Sequence, residues 1–275
     1  MERIIDFHTH LFPEKVAHRA VDGMYSYCKI PYRSTGDLPA LAEHMKREHV
    51  ALCVNHPVCT NPEKVRSCND FAARIAAIPG FASFGCLHPE LKDWRAELRT
   101  FKSRGLIGLK IHNEYQEFFF DSKLCQSMIE AAFEEGLMVL VHAGADPVSP
   151  DIHRCTPEMI ARAMPLLRQG TFIAAHLGGH QMLDDAMKYV VGSPVYIDTS
   201  MAAMYYSDVR VRQAVEAHDP DRVLFGSDSP WDDAATAASV LRHVGLDDDL
   251  LDRVLYRNAA RLLAQFGIAP DDANK

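Results

Sequence analysis

The sequence predicts an α/β fold, a single (β/α)8 TIM barrel of parallel strands that spans residues 1–275 as one domain. Eight short apolar runs recur along the chain, and each is followed by an amphipathic segment. Several runs are continuously apolar rather than alternating, which is typical of parallel strands that are covered on both faces. The length of 275 residues suits a barrel, and no linker, repeat or low-complexity stretch divides the sequence.

The candidate strands are short and rich in aliphatic residues. They are IIDFHTH (4–10), ALCVNHP (51–57), FASFGCLHP (81–89), LIGLKIH (106–112), LMVLVHAG (137–144), TFIAAHLGG (171–179), VYIDTS (195–200) and VLFGSDSPW (223–231). A doubly wound open sheet is the alternative architecture, but such sheets carry a GxGxxG turn after a strand when they bind dinucleotides. No candidate strand is followed by that turn. This absence and the count of eight candidate strands both favour the barrel.

The segments between the strands show helical periodicity. In SKLCQSMIEAAFEEG (122–136) the apolar residues share one face, Asp121 or Ser122 can cap the start, and Gly136 fits the end. Similar patterns mark 91–105 and the terminal segment 248–267. Two helices, within 13–28 and 37–49, are predicted after the first strand.

Composition and charge narrow the classes of partner. The formal net charge of −8, without a clustered Lys/Arg stripe, disfavours nucleic acid and anionic membranes. No apolar run reaches the length of a membrane span, and no signal peptide is visible. The seven cysteines form no CxxC pair, and their odd number without a secretion signal favours reduced thiols in the cytoplasm. We therefore expect a cytoplasmic protein that acts on a small-molecule substrate, with homo-oligomer formation left open.

Histidines collect at the predicted strand ends. The chain has 14 histidines, and seven lie at or near the carboxyl end of a candidate strand: His8, His10, His56, His88, His112, His142 and His176. In a barrel these ends converge on one mouth, where active sites are built. Histidines that fall on predicted helices or loops are interpreted as incidental; these are His18, His44, His49, His153, His218 and His243.

The opening strand places two imidazoles on one face. Residues i and i+2 of a strand point the same way, so His8 and His10 can bind one ion together. Two hydrogen-bonded structural histidines are the alternative interpretation of this pair alone. His142, His176 and Asp228 add ligand-type side chains after other apolar runs, where burial without a partner costs several kcal/mol. A metal ion resolves that cost for all of these side chains together.

The motifs HTH, GLKIH, VHAG, AHLGG, GSDSPW and YRNAARLL resemble the amidohydrolase superfamily, in its amidohydrolase-related branch (amidohydrolase 2). The resemblance runs from the first strand to the final helix. It implies a divalent ion held by His8, His10, His142 and Asp228. It also implies that His176 is either a ligand of a second metal or a group that positions the attacking water. Asp228 would be catalytic as well, because it would accept a proton from that water.

The resemblance leaves the number of metal ions open. Lys110 in GLKIH occupies a position where several binuclear relatives carry a carboxylated lysine that bridges two metals. In the alternative, Lys110 stays an ammonium group and only one metal binds. His112 shares the face of Lys110 and is a candidate substrate contact or ligand. The expected cofactor is Zn²⁺, as one or two ions, with Mn²⁺ as the other candidate.

Three functions compete on this evidence. The first is a metal-dependent hydrolase that activates a metal-bound water to attack an amide, lactone or ester of a small molecule. The second is a metal-dependent non-oxidative decarboxylase of an unsaturated or aromatic carboxylic acid, because the same branch contains such enzymes; hydratases also occur among the relatives. The third, a non-catalytic barrel that keeps a metal for structure, is disfavoured because ligand-type residues end four different strands.

The sequence leaves the roles of Asp6 and Arg154 open between a structural and a functional one. Asp6 precedes the histidine pair on the same strand face, where it can orient a ligating histidine or make a structural hydrogen bond. Arg154 can meet a substrate carboxylate, although a loop arginine is more often solvated.

Overall fold

The structure is a computed structural model that describes residues 3–270. Within these residues it has nine strands: β1 (Ile4–Thr9), β2 (Val50–Asn55), β3 (Phe81–Ser83), β4 (Gly85–Cys86), β5 (Gly108–Ile111), β6 (Met138–Val141), β7 (Phe172–Ala174), β8 (Tyr196–Asp198) and β9 (Val223–Leu224). The predicted eight strands all occur. The run FASFGCLHP holds both β3 and β4, because the strand is interrupted at Phe84.

The same residues form thirteen α-helices, several of them short. They are α1 (Glu14–Cys28), α2 (Leu38–Glu48), α3 (Val65–Ala76), α4 (Trp94–Leu98), α5 (Lys123–Glu134), α6 (Pro157–Arg162), α7 (Met164–Leu167), α8 (Leu183–Tyr189), α9 (Ala202–Tyr205), α10 (Asp208–Ala217), α11 (Ala234–His243), α12 (Asp248–Asp252) and α13 (Asn258–Ala264). None of the described helices is long and apolar enough to cross a membrane.

Helix α5 begins and ends where its sequence signals lie. The Ser122 hydroxyl accepts a hydrogen bond from the Cys125 N–H at 3.2 Å, so Ser122 rather than Asp121 is the cap. Gly136, just beyond the end, has φ +66°. The terminal helical segment instead passes through a π-helical turn between α12 and α13. Asn258 anchors it, because its Nδ2 donates to the carbonyl oxygens of Pro220 and Val223, each at 2.8 Å.

The described chain folds into two compact units. The first comprises residues 3–55, 78–82 and 198–270, and the second comprises 56–77 and 83–197. The expectation of one domain over the whole chain stays a prediction.

In the first unit, β1 pairs on both of its sides. On one side it runs parallel to β2, with Ile5 opposite Leu52. On the other side the Phe7 N–H donates to the Phe225 carbonyl oxygen at 2.8 Å, just beyond β9. All six residues of β1 are buried, as expected for a strand covered on both faces. This pairing brings the carboxyl end of β1 beside residues 226–229.

In the second unit, five parallel strands lie in the order β4-β5-β6-β7-β8. Leu109 of β5 is opposite Val139 of β6, which in turn is opposite Phe172 of β7. Every residue of the strands β4, β5, β6 and β7 is buried. The continuous apolar runs that predicted parallel strands therefore have the burial that such strands require.

Candidate functional site

The two histidines of β1 converge on one carboxylate. In the first unit, the Nε2 atoms of His8 and His10 lie 3.3 Å and 3.0 Å from Oδ1 of Asp228. One ligand atom from each of these residues lies within 4.8 Å of the others. His8 and Asp228 are buried and His10 is half-buried. The three side chains therefore form a compact set of nitrogen and oxygen donors, which we call the first-unit cluster.

The backbone after β9 fits closely against His8. A Cβ atom on Gly226 would lie 2.7 Å from Cβ of His8, so only glycine allows this approach. Two residues later, the Asp228 N–H donates to the His8 carbonyl oxygen at 2.8 Å. Asp228 has φ +68°, a conformation that costs a non-glycine residue about 1–2 kcal/mol. A strained backbone thus presents the Asp228 carboxylate to the two imidazoles.

A second carboxylate orients the His8 ring. Oδ2 of Asp198, at the end of β8, lies 2.8 Å from Nδ1 of His8, and both side chains are fully buried. The Ser200 hydroxyl lies 3.2 Å from the same nitrogen and also donates to Asp198. A proton on Nδ1 is held by this carboxylate, which leaves the Nε2 lone pair facing His10 and Asp228. Asp198 was not among the predicted site residues, although an acidic residue closing the apolar run VYID was a usable signal.

Asp6 has a structural role in the same unit. Its carboxylate accepts hydrogen bonds from the Ser227 N–H at 2.9 Å and the Ser227 hydroxyl at 2.6 Å. Burial raises the pKa of Asp6 to about 7, against the lowering effect of these hydrogen bonds. Of the two roles left open for Asp6, the structure shows the structural hydrogen bond: Asp6 fastens the segment that carries Asp228 to β1.

The second unit contains its own group of imidazoles. Nε2 of His176 lies 3.0 Å from Nδ1 of His142, and the rings of His112 and His142 stack at 4.4 Å. Oδ2 of Asp146 lies 3.6 Å from Nε2 of His112 and 3.7 Å from Nε2 of His142. His112, His142 and Asp146 also have ligand atoms within 4.8 Å of one another. These four residues form the second-unit cluster.

His180 is a neighbour of this cluster that was not among the predicted site residues. Its ring centroid lies 5.1 Å from that of His176 and 5.6 Å from that of His142. Gly144 has φ +98°, and a Cβ atom there would lie 2.3 Å from the His180 backbone nitrogen. His180 follows two glycines and a short 3-10 turn rather than a strand, so it lacks the strand-end position that marks the predicted histidines.

Three other predicted strand-end residues, Lys110, His56 and His88, lie outside the two clusters as defined above. Lys110 is buried in β5, opposite Leu140 of β6, and its carboxylation stays a prediction. The ring of His56 packs on Phe84 at 4.3 Å between ring centroids. Nδ1 of His88 accepts a hydrogen bond from the Glu90 N–H at 3.2 Å. The latter two contacts are those of structural histidines.

Arg154 is bound inside the protein. Its Nη1 lies 2.9 Å from Oε2 of Glu114, which is buried. Glu114 also accepts hydrogen bonds from the Arg154 N–H and the Ser149 hydroxyl. The pair therefore ties the loop after β6 to the loop after β5.

Clusters of imidazole and carboxylate groups at strand ends of a parallel α/β fold are typical of metal-dependent TIM-barrel enzymes, and the comparisons with known proteins agree with this class. Among solved structures, it is similar to an uncharacterized TIM-barrel protein from Bordetella bronchiseptica, with a TM-score of 0.77, 18% identity and coverage of 97% and 100% of the two chains. A second is a probable 2-pyrone-4,6-dicarboxylic acid hydrolase from Acinetobacter baumannii, at TM-score 0.67, 13% identity and coverage of 96% and 99%. A third is a dihydroxybenzoic acid decarboxylase from Polaromonas sp., which holds manganese and an inhibitor, at TM-score 0.70, 17% identity and 98% coverage of each chain.

These likenesses show the fold, so the predicted TIM barrel is confirmed. No curated protein matches the chain in sequence. The family model described as Amidohydrolase matches residues 5–265. The chain belongs to this family, and the predicted resemblance is confirmed. The family's members are enzymes, either hydrolases or carboxy-lyases.

Proposed function

We propose that this protein is a metal-dependent hydrolase that acts on an amide, lactone or ester of a small molecule in the cytoplasm. The observation that carries the proposal is the first-unit cluster, in which two imidazole Nε2 atoms converge on one oxygen of Asp228. Both nitrogens and the carboxylate are donors that a divalent cation prefers.

The donor set fits a divalent cation on the chemistry of the residues themselves. Asp198 holds Nδ1 of His8, so the opposite nitrogen is the one that offers its lone pair. His8, His10 and Asp228 would hold the cation, which when bound supplies Lewis acidity and lowers the pKa of a water ligand. The mixed nitrogen and oxygen set suits Zn²⁺ first, and Mn²⁺, which the decarboxylase from Polaromonas binds, is the second candidate.

Asp228 is proposed as the proton acceptor in this reaction. Its Oδ1 lies beside both imidazole nitrogens, and the strained backbone at φ +68° fixes the position of the carboxylate. A carboxylate held at that point can take a proton from the attacking water and deliver it to the leaving group. His142 and His176 as ligand and catalytic residue, His112 as a substrate contact and Lys110 as a ligand stay predictions.

Decarboxylation of an aromatic acid is the second candidate function. It is favoured by the likeness to the dihydroxybenzoic acid decarboxylase, while the likeness to the pyrone hydrolase favours hydrolysis. A decarboxylase must bind the carboxylate of its substrate. Arg154, the loop arginine considered for that task, is already bound by the buried Glu114. This contact is why hydrolysis is placed first.

An isotope experiment separates the two reactions. Protein loaded with Zn²⁺ or Mn²⁺ is incubated with a panel of lactones, esters, amides and dihydroxybenzoic acids in water enriched in both ¹⁸O and deuterium. Hydrolysis places one ¹⁸O atom in the acid product, whereas decarboxylation places deuterium on carbon and releases CO₂. Mass spectrometry of the products therefore identifies the reaction as well as the substrate class. Deuterium on carbon with CO₂ release would overturn the hydrolase proposal in favour of the second candidate.

Asp228→Asn tests the proposed proton acceptor on whichever substrate is turned over. We expect turnover to fall by at least about 100-fold, because general-base catalysis contributes about 10²–10⁴. Metal content should stay close to that of the wild type, since the amide oxygen can still bind a cation. Asp248→Asn, on the exposed first turn of α12, is the matched control and should keep full activity. Near-normal turnover of Asp228→Asn would remove this residue from the mechanism.

A further inference from the structure

The second-unit cluster contains a donor set that can hold a metal ion by itself. His112 directly follows β5, His142 directly follows β6, and Asp146 lies four residues further along the loop after β6. One ligand atom from each of these three buried residues lies within 4.8 Å of the other two. The proposed hydrolase mechanism is carried by the first-unit cluster and does not depend on this set.

The separations within this set match a bound cation better than direct hydrogen bonds. The rings of His112 and His142 stack at 4.4 Å with 17° between their planes. Their Nε2 atoms lie 3.6 Å and 3.7 Å from Oδ2 of Asp146, whereas an N–H···O hydrogen bond is about 2.7–3.2 Å long. Two ligands bound tetrahedrally at about 2.0–2.2 Å from a Zn²⁺ ion lie about 3.3–3.6 Å apart. A cation between the carboxylate and the two rings therefore needs only small movements of these side chains.

The neighbours of the two rings allow each Nε2 atom to offer its lone pair. Nδ1 of His142 lies 3.0 Å from Nε2 of His176 and can donate a proton to it. Nε2 of His142 lies 2.9 Å from the carbonyl oxygen of Ala145, which adds an oxygen beside the set. Nδ1 of His112 faces the Tyr115 N–H at 3.4 Å, beyond the usual length of a hydrogen bond. This long contact is the one that cation binding at His112 would give up.

The loop after β6 presents the carboxylate of Asp146 to the rings. Oδ1 of Asp146 accepts a hydrogen bond from the Val148 N–H at 2.8 Å, while Oδ2 is the oxygen that lies toward the imidazoles. Further along the same loop, Arg154 is paired with the buried Glu114. A cation bound to Asp146 would give residues 145–149 a link of their own to the ends of β5 and β6.

We propose that His112, His142 and Asp146 bind one divalent metal ion of the Zn²⁺ type, in addition to any ion of the first-unit cluster, and that this ion fastens the loop after β6. Two imidazole nitrogens with one carboxylate oxygen favour Zn²⁺ over Mg²⁺ and Ca²⁺, which prefer oxygen ligands. The ion also gives the buried carboxylate a cationic partner, which offsets the cost of its burial. The proposal does not rest on the hydrolase proposal, since its residues and its readouts are different.

A full-length variant without the first-unit imidazoles tests this site by itself. His8→Ala with His10→Ala is stripped with a chelator, dialysed against Zn²⁺ and analysed for metal, and about one ion per chain should remain bound. Adding Asp146→Ala or His112→Ala should lower the Zn²⁺ affinity by more than about 100-fold, since loss of an outer partner of a ligand alone costs about 10- to 100-fold. Asp151→Asn, at an exposed carboxylate of the same loop, is the matched control and should leave the affinity unchanged.

Two further measurements use other properties of the protein. In the wild-type background, Asp146→Ala should lower the metal content by about one ion per chain while His8 and His10 are intact. Zn²⁺ added to the stripped His8→Ala with His10→Ala variant should slow amide exchange over residues 145–149 and speed it at Tyr115, whose N–H loses its acceptor. The Asp146→Ala substitution should abolish both changes.

The outcomes separate this site from that of the hydrolase. A folded His8→Ala with His10→Ala variant that binds no Zn²⁺ would overturn the second-unit site, and so would equal affinities of Asp146→Ala and Asp151→Asn. Unchanged exchange over 145–149 on Zn²⁺ binding would overturn the fastening of the loop. A wild type whose single ion is lost in Asp146→Ala but kept without His8 and His10 would support this site and contradict the metal of the proposed hydrolase. None of these readouts requires a known substrate.

Discussion

Oδ2 of Asp198 lies 2.8 Å from Nδ1 of His8, and neither side chain is exposed to solvent. A buried carboxylate at that distance fixes both the ring orientation of His8 and the nitrogen that carries the proton. The arrangement makes Asp198 a positioning residue for the first-unit cluster. It also predicts a measurable cost when the carboxylate alone is removed.

Asp198→Asn should weaken divalent-metal binding by about 10- to 100-fold, because loss of the outer carboxylate lowers the basicity of the His8 ring. The measurement is a competition between the protein and a chromophoric chelator for Zn²⁺. Asp248→Asn is the matched control, since it makes the same change at an exposed carboxylate of the first unit. Equal affinity of Asp198→Asn and the wild type would show that the contact does not tune metal binding.

The double variant His8→Ala with His10→Ala should lose the metal of the first-unit cluster. Two of its three donors are removed, and Asp228 alone does not hold a divalent cation tightly. Elemental analysis after dialysis should find at least about one ion fewer per chain than in the wild type. The double variant His18→Ala with His243→Ala changes two exposed histidines of the same unit and should keep its metal. An unchanged metal content in the first variant would place the ion elsewhere.

Glu114→Gln should loosen the loop after β6. The substitution leaves the Arg154 guanidinium largely buried beside a neutral partner, and breaking a buried ion pair costs about 3 kcal/mol of the free energy of unfolding. Urea denaturation measures that loss, and hydrogen exchange should show faster exchange over residues 145–156. Glu117→Gln, at an exposed position of the loop that carries Glu114, should have no such effect. Unchanged exchange over 145–156 would mean that other contacts hold the loop.

The raised pKa of Asp232 predicts that the free energy of unfolding depends on pH. Burial raises its pKa from 3.8 to about 6, so the folded protein holds this proton more tightly than the unfolded chain. The contribution of Asp232 is therefore most favourable below about pH 4 and falls as the pH rises from about 4 to 6. Allowing for solvent screening, the decline amounts to about 2 kcal/mol in the free energy of unfolding.

Asp232→Asn should remove this decline while keeping the hydrogen bond that Oδ1 accepts from the Asp233 N–H at 2.9 Å. The measurement is the difference in unfolding free energy between the variant and the wild type from pH 4 to 7. That difference should shift in favour of the variant and level off above about pH 6. Asp248→Asn, at an exposed carboxylate, should run parallel to the wild type. A variant parallel to the wild type at Asp232 would contradict the assignment.

The fold was predictable from the sequence because parallel strands are buried on both faces and therefore appear as continuous apolar runs. All eight runs contain strands, and the cap at Ser122 was among the two residues named for it. The strand ends were less predictable. The run VLFGSDSPW supplies only Val223–Leu224 as a strand, because the following residues turn to place Asp228 at φ +68°. The intrinsic backbone preference of aspartate does not predict this positive φ. The hydrogen bond of the Asp228 N–H to His8 in β1 imposes it.

The predicted site residues are ligand-type side chains that lie within a strand or a few residues beyond its carboxyl end. His8, His10 and Asp228 meet in the first unit, and His112, His142 and His176 meet in the second. Asp198 ends β8 and carried the same signal, but it was not predicted. Asp146 and His180 lie outside the strands, and their contacts depend on which rings lie beside them.

The first-unit cluster also has a consequence for the order of events during synthesis. His10 and Asp228 are 218 positions apart, yet β1 depends on the segment after β9 for the pairing on one of its sides. At about 5–20 residues per second, the two histidines leave the ribosome roughly 10–40 seconds before the aspartate. During that time β1 is an apolar strand with an open edge, which is a substrate for chaperones or for aggregation. All three donors of the first-unit cluster are present only after Asp228 has left the ribosome, so the proposed metal can be bound by the complete set only from that point on.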